Sequence, residues 1–150
     1  LRLTERTLLG LRIVAAVDAA GTSLTVDNLA RLTHADRDHT SKVVHGLACA
    51  GLVATTRGRR GGVSARPGAA ARPSAIVLAL ESCVPRQDCH PCPLAETCAL
   101  PALTGLATEA FLAALDAGGL EAFRAPSDEM GRDALATSPL TGRLARRLGV

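Results

Sequence analysis

The chain has 150 residues, a net charge of +3 and 47% hydrophobic residues, yet only 1% are aromatic: two Phe, no Tyr and no Trp. That is apolar material for one sizeable domain, or a small domain with an appendage, with a core of Leu, Ala and Val, which favours helices. No apolar run reads as a membrane span and the first residues lack the layout of a secretion signal, so a cytoplasmic chain without a membrane partner is expected. The charge is uneven: residues 1–72 carry eleven Lys/Arg against five Asp/Glu, whereas residues 73–150 carry six against nine. Only the first part is expected to meet a polyanion.

Thr4 precedes Glu5 and an apolar-rich run to Ala20, closed by Gly21: an N-cap, a helix and a C′ glycine in order. Its apolar residues occupy more than one stripe, so this helix should be buried on most sides. A second helix is expected from about Thr25, with Val26, Leu29 and Ala30 inward. His34-Ala35-Asp36 breaks it, and a third follows from Arg37 to Ala50, with Val43, Val44, Leu47 and Ala50 inward. Two short helices joined by a tight turn, the second with a polar outer face, form a helix-turn-helix.

Leu52–Thr56 then reads as a strand, Arg57-Gly58-Arg59-Arg60-Gly61-Gly62 as a basic turn and Val63–Ala65 as the return strand. This is a β-hairpin wing, and arginines at its tip suit a narrow, electronegative minor groove. A solvated loop would account for the glycines but not for the arginine density. The expected DNA-reading residues are Arg37, His39, Thr40, Ser41 and Lys42 at the start of the third helix, in the major groove, and Arg57, Arg59 and Arg60 on the wing.

Residues 66–73 read as a linker and Ser74–Leu80 as a short apolar helix. Then Cys83, Cys89, Cys92 and Cys98 fall within sixteen positions, with gaps of five, two and five residues. Thiolates gathered in one loop are the usual protein side of an iron–sulfur cluster or a structural zinc, and Pro85, Pro91 and Pro93 stiffen the loop that carries them. Disulfides or buried small hydrophobes are the competing reading, which the lack of secretory features disfavours. His90, inside the Cys89–Cys92 chelate, should point away from it, and Cys49 should be a buried packing residue. Leu103, Leu106, Ala107, Ala110, Phe111, Ala114 and Leu115 define a long amphipathic helix whose stripe calls for a second subunit. Beyond it, a Gly-, Pro- and Ser-rich tail is expected to be mobile.

This order of parts resembles the Rrf-type family of winged-helix iron–sulfur regulators, which includes NsrR, IscR and RirA. The likeness lies in Leu3-Thr4…Leu8-Leu9, Lys42-Val43-Val44-His45-Gly46-Leu47, Ala50-Gly51-Leu52-Val53, the Arg57–Gly62 wing and Cys92-Pro93-Leu94-Ala95-Glu96-Thr97-Cys98, and is closest to the NsrR branch. The resemblance implies a homodimeric repressor of a double-stranded DNA operator, with a cluster bound by Cys89, Cys92 and Cys98 that responds to nitric oxide or redox stress. It implies [4Fe–4S], with a [2Fe–2S] redox or iron sensor as the alternative; a zinc-braced interaction module is another. Two departures stand out: the gap between Cys89 and Cys92 is short, and Leu8 occupies the position where relatives offer a carboxylate from the partner's first helix. Cys83 is therefore expected as the further ligand, with Glu5 one turn from Leu8 as the other candidate.

The expected organisation is mainly α: a winged helix-turn-helix of three helices and a hairpin over 1–73, a short helix and cluster loop over 74–99, a dimerisation helix over 100–117 and a tail over 118–150. The sequence offers no nucleophile–base pair, phosphate loop or paired catalytic carboxylates, so no enzymatic activity is expected.

Overall fold

The computed structural model describes residues 3–58, 61–69, 72–81, 93 and 97–120. Helix α1 spans Glu5–Ala20, and its ends follow from its cap residues: the Thr4 hydroxyl accepts the Thr7 N–H, and Gly21 closes it at φ 61°. Leu9, Leu11, Ile13, Val14 and Val17 lie in the core, so α1 is the central post of the domain. Helix α2 spans Val26–Thr33, started by the Thr25 hydroxyl and stopped by His34 in the left-handed region at φ 52°. Helix α3 spans Arg37–Cys49 and begins at Asp36, whose side chain accepts two backbone N–H groups.

The wing is a two-stranded antiparallel hairpin, β1 Val53–Thr56 and β2 Gly62–Ala65, with Val53 opposite Ala65 and Thr56 opposite Gly62. Leu24 and Val63 exchange backbone hydrogen bonds of 2.9 and 2.8 Å, which fastens the wing to the turn between α1 and α2. A side chain at Gly61 would overlap the Thr56 carbonyl, so the tight tip requires glycine there.

Helix α4, Pro73–Leu80, packs on α1, α3 and α5, and its Ile76 and Leu80 join the same core. A carboxylate holds each of its ends. At the start, Asp116 accepts the Ser74 backbone N–H at 2.8 Å and the Ser74 hydroxyl at 2.6 Å. At the end, Glu81 Oε1 accepts the Thr4 N–H at 2.7 Å and the Thr4 hydroxyl at 3.0 Å. The Thr4 N–H is the main reason that the Glu81 carboxyl titrates below the ordinary carboxylate range.

Helix α5 spans Leu100–Gly118, and of its residues only Thr108 is buried. Leu100, Leu103 and Leu106 are 50–63% exposed, so among the described residues these three leucines of the apolar stripe are left largely uncovered. By length and composition this helix is apolar enough to cross a membrane, which corrects the expectation that no stretch is. Its Leu, Ala and small residues carry only the Glu109 and Asp116 charges. Leu120, expected in the tail, is instead 1% exposed and packed in the core; residues 121–150 of that tail lie outside the described residues.

Candidate nucleic-acid interface and cysteine site

The reading face is set by the register of α3. Val43, Val44 and Leu47 point into the core, which turns Asp38, Ser41, Lys42 and His45 to solvent and leaves His39 half-buried. Three and four residues before the first two of these core positions stands Thr40, fully buried, its hydroxyl donating to the Asp36 carbonyl at 2.7 Å. Thr40 is therefore a packing residue whose buried hydroxyl is turned back onto its own helix and away from DNA, contrary to its expected role. Arg37 is exposed, but its Nε donates to Asp27 Oδ1 at 2.6 Å, and this bond raises its pKa. Asp27 thus holds the guanidinium between α2 and α3, and a phosphate must compete with or share that grip.

Asp36 accepts the backbone N–H groups of Asp38 and His39, each at 2.9 Å. The His39 N–H contributes most to a carboxyl pKa below the ordinary range. The cap fixes the angle at which α3 leaves the turn.

One cation of this face was missed in the sequence. Arg6 of α1 reaches across α3 and lines, with Asp38, His39, Ser41, Lys42, Val43 and His45, a shallow groove of about 680 Å³. Its signal was available only as a basic residue in the first turn of a helix otherwise read as core. On the wing Arg57 is exposed; Arg59 and Arg60 lie outside the described residues.

Cys49 corrects another expectation: it is exposed, and its Sγ lies 3.6 Å from Nε2 of His45, one turn earlier on the same face. This is a thiol–imidazole pair that the sequence reading did not identify, set on an open helix surface. Ala50, expected inward, is exposed because α3 has ended and Ala50 is its cap.

Of the four clustered cysteines, Cys98 is described: it is half-buried, two residues before α5. Cys83, Cys89, Cys92 and His90 lie outside the described residues. Among the described residues no group of three or more His, Cys, Asp or Glu could hold a metal. The donor set is nonetheless suited to iron: Cys98 marks one end of a segment whose other three thiols follow directly on α4, and thiolates are the preferred ligands of iron–sulfur centres. Glu5 is exposed in the first turn of α1, and Leu8 is half-buried with no atom to offer a metal.

A family profile described as Rrf2, iron-dependent transcriptional regulator, matches residues 3–124. The chain belongs to the Rrf2 family. Solved structures share its fold. CymR of B. subtilis, described as its global cysteine regulator, is 21% identical, with 81% of this chain and 94% of that chain covered and a TM-score of 0.60. T. potens IscR is 16% identical, with coverages of 92% and 91% and a TM-score of 0.62. An oxidized form of Staphylococcus aureus CymR is 19% identical, with coverages of 86% and 100% and a TM-score of 0.62. No curated protein matches. As an Rrf2 transcription regulator, the chain places its DNA-binding winged helix in α1–α3 and the β1–β2 hairpin.

Proposed function

We propose that this Rrf2 regulator represses transcription as a homodimer in the cytoplasm and senses nitric oxide or redox stress through an iron–sulfur cluster. One observation carries the reading: the helix that buries Leu80 against the DNA-reading domain runs directly into a segment of four thiols. Cys89, Cys92 and Cys98 would hold the cluster, with Cys83 as the further ligand, since Leu8 provides none. When bound, the cluster supplies an iron–sulfide centre that nitric oxide and oxidants attack.

The remaining work falls to the chain. Ser41, Lys42, His45 and the half-buried His39 face base edges and phosphates in the major groove, Arg6 adds a cation beside them, and Arg37 contributes what Asp27 leaves free. Arg57, Arg59 and Arg60 enter the minor groove. The exposed Leu100, Leu103 and Leu106 support a second copy as the cover of α5, because water is otherwise left against three large apolar side chains. Cluster integrity then selects between populations of dimer geometry, and so between DNA affinities.

The test measures operator affinity of cluster-loaded, cluster-free and nitric-oxide-treated protein at one salt concentration. The loaded form is expected to bind most tightly and the treated form to release DNA. Equal affinities would leave a DNA-binding protein without this sensing role. Exposure to oxygen and to a chelator separates a [2Fe–2S] redox or iron sensor from a nitric-oxide sensor.

A further inference from the structure

Leu80 is the last residue of α4, three positions before the first of the clustered cysteines, and it is only 3% exposed. Its side chain sits where two other helices both give up theirs. A Cβ on Gly10 of α1 would overlap Leu80 Cδ1, and a Cβ on Gly46 of α3 would stand 3.1 Å from Leu80 Cδ2. The two glycines form a socket, one wall of which belongs to the DNA-reading helix. Gly46 is also the point where Arg6 lies on α3, with Nη2 3.0 Å from where a Cβ would be. The next residue, Glu81, is bonded twice to Thr4, the cap of α1. The chain thus leaves α4 for the cysteine segment through one apolar plug and one polar latch. The plug touches α3 and α1, and the latch holds the start of α1.

We propose that Leu80 and Glu81 form a coupling joint through which the state of the cysteine segment sets the position of α3 and of Arg6. This rests on the sensing role proposed above and identifies the route by which it reaches DNA. Close packing makes such a joint effective: a plug between two backbones cannot move without displacing a wall, so a change of course beyond Glu81 is passed to Gly46 and not absorbed. Leu80 and Glu81 are positioning residues; neither needs to touch DNA or cluster.

Two variants act on the joint in different ways. Glu81→Gln keeps the shape and weakens the latch. Gly46→Ala narrows the socket from the α3 side while raising the helix propensity of α3, so its effect is not that of a weakened helix. Thr25→Ala, which removes the cap of α2, is the control for a stability loss outside the joint. For each, operator affinity is measured with and without cluster at one salt concentration, and the ratio is compared. The wild-type ratio is expected within roughly 5–150-fold, as for typical allosteric coupling, and should fall to within about twofold of unity in both joint variants but not in Thr25→Ala.

Amide hydrogen exchange on cluster-free protein gives a second readout that needs no cluster. Glu81→Gln should speed exchange in the first turn of α1 and across Val43–Leu47 together. Joint variants that melt earlier yet keep the wild-type ratio would overturn the coupling role and leave the sensing role standing. So would an exchange response confined to α1. A wild-type ratio of one would overturn both.

Discussion

Helices α1 and α5 are close in length, 16 and 19 residues, and both are rich in Leu and Ala, yet their fates are opposite. In α1 eight residues are buried, among them Leu11, Ile13 and Val14 with no exposed surface. In α5 one residue is buried, and three of its leucines are at least half exposed. Composition alone does not separate these roles. The difference lies in what covers each helix among the described residues: α2, α3, α4 and the wing close around α1, whereas α5 packs on α4, to which the Asp116–Ser74 bonds tie it. The described residues leave the apolar stripe of α5 open, and the proposed dimer would cover it.

Four variants test this contrast, from the largest expected effect to the smallest. Leu11→Ala should destabilise the fold by about 2–5 kcal/mol, because the cavity would form among fully buried neighbours, and a denaturant melt checks it. The charged double change Leu103→Glu with Leu106→Glu should leave the fold intact and split the proposed dimer. Two leucines each contribute about 1.5–3 kcal/mol when fully buried, and sedimentation at graded concentrations measures the loss. If that pair unfolds the protein instead, α5 is core and the contrast fails. Lys42→Ala should weaken operator binding at all sequences and reduce the slope of log affinity against log salt by about one. Cys49→Ser, on the open face of α3, should leave both stability and cluster content unchanged, as shown by melting and an iron count.

Acid sharpens the same comparison from the DNA-reading side. The Asp36 carboxyl is lowered when folded, so the cap contributes stability above the unfolded pKa and loses it as pH falls through the folded value. The start of α3 should therefore loosen in acid before the core around α1. Asp36→Asn, which can still cap, should remove that pH dependence; exchange of the His39 amide against pH follows it.

Local signals were legible in the sequence because the forces behind them are local. Thr4, Thr25 and Gly21 mark helix ends through bonds that span three or four residues, and the wing follows from two short strand-like runs on either side of a glycine-rich turn. Thr40 was legible in part: its spacing to Val43, Val44 and Leu47 places it on the core stripe, but its place at the start of α3 suggested DNA. What the sequence did not reveal are pairings between distant positions. Asp27 binds Arg37 across ten residues, Asp116 holds Ser74 across 42 and Glu81 holds Thr4 across 77. The glycine socket for Leu80 is likewise visible only when three helices are brought together.

The claim on which the regulatory account depends is that the cysteine segment holds iron and sulfide. The direct measurement is the absorption spectrum of anaerobically purified protein together with its iron and sulfide content. The account predicts a coloured protein with iron and acid-labile sulfide in equal amounts, lost on replacing Cys92 by Ser. A colourless, iron-free protein that cannot be reconstituted would contradict it, and zinc in that sample would identify the segment as a structural brace.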